Sequence, residues 1–279
     1  MQAHKVRILM DIDGTVHDSK RFAATARENA VIAGLSKGLL SHIKTDEIDT
    51  GIDRFEKAKS KILKVMNTIM YGETIGSQRI RKGLGSSQPY LFNAALQECG
   101  VTDQRLINRY IAPMIKSYHE AKLSMRWYMD VKPVLKQIDD EGYSVHMASD
   151  ADNATKQWDK IDHLEIWDHF EEKGFVTNDY RNKDIPESGQ KNAWFYRKIV
   201  EELGVPSHYL IMVGNDPEKD IRQAKLVGIN TVRIIRPGDS EEHFEDERRA
   251  DYTIHSLDPL LAIVKKIEQK IAEIENKKD

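Results

Sequence analysis

The sequence predicts an α/β fold, a doubly wound parallel sheet with an all-helical domain inserted after its first strand. Three observations predict it. Short apolar runs at Arg7–Met10, Tyr143–Ala148, Gly174–Thr177, Tyr209–Val213 and Thr231–Ile235 are separated by helical patterns, the texture of βαβ units. Three strand ends, "MDID", "MASD" and "VGND", carry aspartate, and open α/β sheets collect ligands at the carboxyl ends of their strands. Between them, the stretch from Ser19 to Tyr128 reads as helix after helix, with no strand pattern.

The bulk numbers suit a globular protein. The chain has 279 residues, 40% hydrophobic and 31% charged, enough for one large domain or two modest ones. A net charge of -3 supplies no basic field to gather phosphates, so a nucleic-acid partner is not expected. The single cysteine, Cys99, cannot form an internal disulfide and fits a reducing compartment. No run reaches the roughly 18 apolar residues of a membrane span. The start "MQAHKVRILMDIDG" leads straight into a strand rather than a signal peptide. A cytoplasmic protein without a membrane partner is the expectation.

The elements follow in order. The first strand, "RILM", ends at Asp11 and Asp13. "RFAATARENAVIAGL" places Phe22, Ala26, Ala30 and Ala33 at helical spacing, and "IDRFEKAKSKILKVMNTIM" carries an apolar stripe of Ile52, Phe55, Ile62, Val65, Met66 and Ile69. Tyr71–Gln88 is Gly- and Ser-rich and loop-like. "PYLFNAALQECG" and "DQRLINRYIAPMIKSYHEAKL" continue the helices, with Pro113 expected to kink or break the second. The expected domains are therefore a core of residues 1–18 and 129–279 and a helical insert of residues 19–128. At the end, Asp258 is the expected N-cap and Pro259 the first helical position, ahead of a buried stripe of Leu260, Ile263, Ile267, Ile271 and Ile274. That stripe packs equally well on its own core or on a second subunit, so a homo-oligomer stays open.

"DIDGT", at Asp11–Thr15, admits three readings. An EF-hand requires Gly at the sixth position and Glu at the twelfth; counting from Asp11, Val16 and Phe22 stand there, and calcium fails. A turn closing the strand survives. So does a site. Asp11 and Asp13 face the same side of a strand end because side chains alternate, and two carboxylates so close repel unless a cation lies between them. Mg²⁺, a hard ion with oxygen ligands, would offset that repulsion. Were it also to bind a phosphate, Asp11 could attack phosphorus while Asp13 protonates the leaving oxygen and then activates water. Ser149 could donate a hydrogen bond, a lysine near the third strand end could neutralise charge, and "VGNDPEKD" could complete the metal site.

The order "ILMDIDGTVHDS", "VHMASDADN", a lysine before "WFYRKIVEELGV", and "LIMVGNDPEKDIRQAKLVGINTVRI" resembles the haloacid dehalogenase superfamily of phosphohydrolases over nearly the whole chain. The helical insert resembles that superfamily's type I cap, hence subfamily IA. "SYHEAKL", "NATKQWDKI" and "ADYTIHSLDPLL" are similar to archaeal glyceraldehyde-3-phosphate phosphatases. The resemblance implies a Rossmann-like core and a Mg²⁺-dependent phosphatase for a small phosphorylated metabolite, whose cap closes over the substrate. It implies Asp11 as nucleophile, Asp13 as acid/base whose backbone carbonyl also binds the metal, and Ser149 as a phosphoryl contact. The second aspartate favours phosphoryl transfer over carbon–halogen chemistry. Gly14 and Thr15 match the family's turn, and Gly14, Thr15 and Asp150 are expected among the substrate-binding residues. In the cap loop "RIRKG", a solvated basic surface competes with a substrate-binding role for Arg79, Arg81 and Lys82.

Two places depart from the family pattern. Lys191 in "ESGQKNAWF" lacks the usual flanking prolines, and Lys183 is the alternative phosphate contact. In the fourth motif Asn215 stands where a metal aspartate is usual, with Asp216 and Asp220 behind it. Asn215, Asp216 and Asp220 are the expected metal ligands beside Asp11 and Asp13; Asp216 and Asp220 also fit helix N-terminal acids, and Asp220 could instead orient the lysine. A phosphomutase or phosphotransferase on the same fold, and a non-catalytic binding protein, are the alternative functions. His17 is expected to be a solvated loop residue, and His146 a buried, hydrogen-bonded one. Trp158, Trp167 and Trp194 are expected to pack.

Overall fold

The computed structural model describes residues 5–44, 51–72, 88–124, 126–151, 154–182, 184–185 and 187–277. The chain divides into two compact units, Met1–Ser19 with Arg126–Asp279, and Lys20–Met125.

The first unit holds a six-stranded sheet in the order β3-β2-β1-β4-β5-β6, every pairing parallel. The strands are β1 (Arg7–Met10), β2 (Ser144–Ser149), β3 (Phe175–Val176), β4 (Leu210–Gly214), β5 (Asn230–Ile234) and β6 (Tyr252–Ile254). Because both faces of a parallel sheet are covered, the inner strands read as continuous apolar runs; all five residues of β4 are buried. Leu9, Leu210 and Met212 pack in one cluster with Phe195, Tyr196 and Ile199 of helix Ala193–Leu203. By the period of two, Ile8, Met10, Ile211 and Val213 face the other side. The Ala193–Leu203 helix starts where the Asn192 side chain accepts from Phe195 N, and stops at Gly204 in the left-handed region, φ 64°, the usual C-terminal stop. β6 was not expected: it is a three-residue edge strand with only Ile254 buried, too short to show a pattern.

The helical unit contains α1 (Ser19–Ser36), α2 (Gly51–Tyr71), α3 (Gln88–Glu98) and α4 (Gln104–Glu120), and among its described residues there is no strand. Its core joins Ala30, Val31, Ile62, Met66, Phe92, Leu96, Ile107 and Met114. Asp103 caps α4 by accepting from Arg105 N. Of the expected kink or break at Pro113, the break does not occur: α4 is one helix with Pro113 inside it. An interior proline costs about 3 kcal/mol; here Ile107, Tyr110, Ile111 and Met114 are buried on both sides of it, and that burial outweighs the lost bond. Ile52 is 82% exposed, so the stripe of α2 narrows to Ala58, Ile62, Met66 and Ile69.

The C-terminal helix also departs from expectation. It spans Leu260–Glu275 with Pro259 at the N-cap position and no side-chain cap, while the carboxylate of Asp258 accepts from Ser256 instead. Val264 takes the buried place expected of Ile263, and Ile274 is exposed. No described helix is long and apolar enough to cross a membrane.

Candidate active site

The sheet order puts β1 between β2 and β4, with Met10 level with Met147 on one side and Val213 on the other. The amide of Asp11 still donates to Val213 O at 2.9 Å. Strand order reverses between β1 and β4, the switch point where open α/β sheets bind ligands. Beyond β1 the chain folds into a tight turn: Val16 N and His17 N both donate to Ile12 O at 3.0 Å, and Gly14 N donates to His17 O at 2.8 Å. Gly14 has φ 86°, a conformation that favours glycine. A Cβ there would also stand 2.6 Å from the Asn215 amide nitrogen. "DIDGT" is thus a turn, and the turn brings Gly14 against the Asn215 side chain.

Asp11 continues the alternation of β1, placing its carboxylate on the face covered by the Ala193–Leu203 helix. Lys191, two residues before that helix, meets it there. Its Nζ lies 2.7 Å from Asp11 Oδ1 and 2.6 Å from Asp220 Oδ1, and all three side chains are buried. Burial raises Asp11 above the usual carboxylate range, against the pull of Lys191. Burial would lower Lys191, but its two carboxylate neighbours hold it well above its ordinary value. The ammonium and the two carboxylates therefore form a charged bridge from β1 to the segment after β4.

Asp220 Oδ2 accepts from Asp216 N at 2.9 Å, so both its oxygens are engaged. Asp216 caps the wide helical turn Pro217–Arg222, accepting from Glu218 N and Lys219 N. A Cβ on Gly214 would fall 2.2 Å from Asp220 Oδ2, and Asp220 is pinned at both oxygens. Gly214→Ala is therefore expected to cost about 1–3 kcal/mol by overpacking, read as a lower denaturant midpoint at unchanged slope.

Asp13 sits in a second cluster. Its Oδ2 accepts from Lys160 Nζ at 2.6 Å and Gln157 Nε2 at 3.3 Å, and its Oδ1 lies 3.4 Å from His17 Nδ1. Burial works to raise Asp13, but the hydrogen bonds and charges of His17 and Lys160 hold it well below the usual carboxylate range. His17, expected in solvent, is buried. Its backbone closes the turn after β1 and bridges to Trp127, which folds the ring inward. His146 is buried, with Nδ1 3.0 Å from Lys173 O.

Ser149, the last residue of β2, is buried, and its Oγ finds no hydrogen-bond partner among the described residues. The same holds for Thr15 Oγ1. Buried hydroxyls are ordinarily paired; these two stand unpaired among the described residues. Asp150 is fully engaged, with Oδ1 on Thr177 Oγ1 at 2.9 Å and Oδ2 on Lys219 Nζ at 2.7 Å. Lys183, Arg79, Arg81 and Lys82 lie outside the described residues. Arg236, just past β5, donates to Thr15 O through Nε at 3.0 Å and Nη2 at 2.6 Å. Its Nη1 bonds Asp130 at 2.6 Å, so the turn that carries Asp13 is clamped from below.

Lys160, Gln157, Lys219, Thr177 and Arg236 were not singled out from sequence. A signal existed for the first two, since Gln157 and Lys160 stand three apart on one face of helix Ala154–His163, within "NATKQWDKI".

The donors available to a metal are hard oxygens: the Asp11 carboxylate, the Asp13 carbonyl and the Asn215 amide. Lys191 takes Oδ1 of Asp11, and no hydrogen bond from a described residue reaches Oδ2. Among the described residues no three Asp, Glu, His or Cys side chains cluster as a ligand set. An oxygen set with one free carboxylate oxygen fits Mg²⁺, which keeps several waters and leans on substrate phosphate. It does not fit a thiolate- or imidazole-bound metal.

The model of the family "Haloacid dehalogenase-like hydrolase" matches residues 49–234. A glyceraldehyde 3-phosphate phosphatase of Methanopyrus kandleri is 27% identical over 93% of this chain and 97% of its own. One of Pyrococcus furiosus is 26% identical over 93% and 92%. Among solved structures, a HAD phosphatase from Thermococcus onnurineus aligns with TM-score 0.55 and 21% identity, covering 94% of this chain and 98% of that one. A haloacid dehalogenase-like family hydrolase from Xanthomonas campestris aligns with TM-score 0.60 and 13% identity, covering 96% and 99%. At these identities the structural likeness is one of fold.

Proposed function

Because this chain belongs to the haloacid dehalogenase-like hydrolase family, we propose that it is a Mg²⁺-dependent phosphatase that cleaves small phosphomonoesters through an aspartyl-phosphate on Asp11. The observation that carries this reading is the buried Asp11 carboxylate held at one oxygen by Lys191, next to the strand end where Ser149 Oγ is unpaired. In this reading the helical unit is the cap.

Lys191 and Ser149 bind two phosphoryl oxygens, and Thr15 can donate a third hydrogen bond. A free oxygen of Asp11 attacks phosphorus, and the bond to the leaving oxygen breaks as that oxygen takes a proton from Asp13. Asp13, now ionised, takes a proton from water. The resulting hydroxide attacks phosphorus, phosphate departs and Asp11 is regenerated. The ion pair with Lys160 favours the ionised, water-activating form of Asp13, so the proton for the first step must arrive with or after the substrate. Bound Mg²⁺, held by Asp11, the Asp13 carbonyl and Asn215, supplies charge neutralisation and orientation of the phosphoryl group. With an amide in place of a carboxylate at Asn215, its affinity is weak for this chemistry. In this reading Asp220 positions Lys191 and Asp216 caps the turn that carries Asp220, the alternative roles the sequence offered for them, and Asp150 orders the loop after β2.

The names of the similar proteins support a short phosphorylated aldehyde as substrate, which makes glyceraldehyde 3-phosphate the first metabolite to assay. The test is release of p-nitrophenol and of phosphate from p-nitrophenyl phosphate and a panel of phosphorylated metabolites, with Mg²⁺ and with EDTA. Hydrolysis that disappears in EDTA and returns with added Mg²⁺ is expected. Metal-independent hydrolysis, or no hydrolysis of any panel member, would contradict the reading.

A further inference from the structure

An acid/base carboxylate must point at the leaving oxygen, and a carboxylate on a turn has several rotamers open to it. Asp13 retains 33% side-chain exposure, so packing alone does not choose among them. Three donors from two elements do. His17, four residues on in the same turn, approaches Oδ1. Lys160 and Gln157, one helical step apart on Ala154–His163, both converge on Oδ2. Lys160 stretches to Asp13 from 147 residues away in sequence, and its side chain is only 18% exposed. Gln157 is buried, and its Oε1 has no partner among the described residues. The amide thus leaves an acceptor unsatisfied while its nitrogen serves Asp13.

We propose that Lys160, seconded by Gln157, is a positioning residue that fixes the Asp13 carboxylate in the direction needed for proton transfer to the leaving oxygen. The proposal rests on Asp13 being the acid/base of the reading above. A site of this kind has to hold its groups within about 0.5 Å and 10–20° of the productive geometry, and two converging donors on one oxygen supply that constraint. The chemistry exposes the role. An alkyl phosphate loses a strongly basic alkoxide, which leaves only if a proton reaches it as the P–O bond breaks. p-Nitrophenyl phosphate loses a weakly basic phenolate and needs little help. Water attack on the aspartyl-phosphate is common to both substrates and does not enter kcat/KM, which reports steps up to the first irreversible one.

The experiment measures kcat/KM of the full chain for p-nitrophenyl phosphate and for the best alkyl phosphomonoester of the panel, in wild type, Lys160→Met, Lys160→Arg and Gln157→Leu, with thermal midpoints alongside. Lys160→Met also loosens the hold on ionised Asp13, so the loss from misplacing the acid has to outweigh easier protonation; a net fall of about 10–100-fold in the alkyl value is expected, a part of the 10²–10⁴ that acid–base catalysis supplies. The aryl value should fall at least about tenfold less, with Lys160→Arg recovering part of the loss. Equal losses on both substrates, or an undiminished alkyl value, would overturn the proposal. Where Lys160→Met does not fold, Lys160→Arg and Gln157→Leu carry the same comparison, with smaller but still alkyl-selective losses expected. A wild type inactive on both substrates would overturn the phosphatase reading itself, and this proposal with it, a result distinct from any difference between variants.

Discussion

Asp11→Asn is expected to lower kcat by about 10⁴-fold or more, the scale on which enzymes lose activity when a nucleophile is removed. Folding should survive. Burial raises Asp11 above its unfolded value, and a carboxylate so shifted binds more protons folded than unfolded. Its contribution to stability is present at low pH and is lost as pH rises through the folded value. An uncharged amide of the same shape removes that loss. The thermal midpoint of Asp11→Asn at pH 8 is therefore expected to be no lower than that of wild type, both in EDTA. A large fall in midpoint would mean that lost activity reports misfolding rather than lost chemistry.

Lys191→Met carries the second large effect, and it has two parts. The buried ammonium is shared by Asp11 and Asp220. Removing the one cation of this set costs about 3–5 kcal/mol, because two buried carboxylates stay behind uncompensated, whereas Asp11→Asn leaves a balanced Lys191–Asp220 pair. Loss of a donor to the phosphoryl oxygens should lower kcat by a further factor of about 10²–10³. The stability part has a pH signature. Without the lysine, two buried carboxylates repel, the Asp11 carboxyl is pushed up further, and proton uptake relieves the repulsion. The deficit against wild type is expected to be largest near pH 8 and to shrink toward pH 5, followed by urea denaturation in EDTA. A deficit that is flat across that range would mean the ion triad is not the source of the loss.

The parallel sheet was legible because its inner strands are covered on both faces, so Ile8–Met10 and Ile211–Val213 appear as unbroken apolar runs. β6 was not, since an edge strand with one buried residue leaves no such trace. Periodicity identified the helices but overran their buried faces. Ile52 and Ile274 continue their stripes into solvent, because spacing records which face a residue is on and not how far the neighbouring element extends. The strand-end aspartates were visible as a local motif. The partners that set their chemistry come from far along the chain: Lys191 reaches Asp11 over 180 residues, and Gln157 reaches Asp13 over 144. His17 was misjudged for a related reason. Its burial is imposed by the turn's own hydrogen bonds to Ile12 O and by the bridge to Trp127, neither of which a solvated-loop composition discloses.

The claim that Asp11 is phosphorylated in turnover can be tested at the residue itself. The enzyme is mixed with excess phosphomonoester and Mg²⁺, quenched in acid, reduced with borohydride and digested. An aspartyl-phosphate reduces to homoserine, which mass spectrometry locates within the peptide that spans Arg7–Ser19. Homoserine at position 11, absent without substrate and absent in Asp11→Asn, is the predicted result. Phosphate release by an enzyme whose Asp11 stays unreduced, or reduction at another carboxylate, would contradict the mechanism.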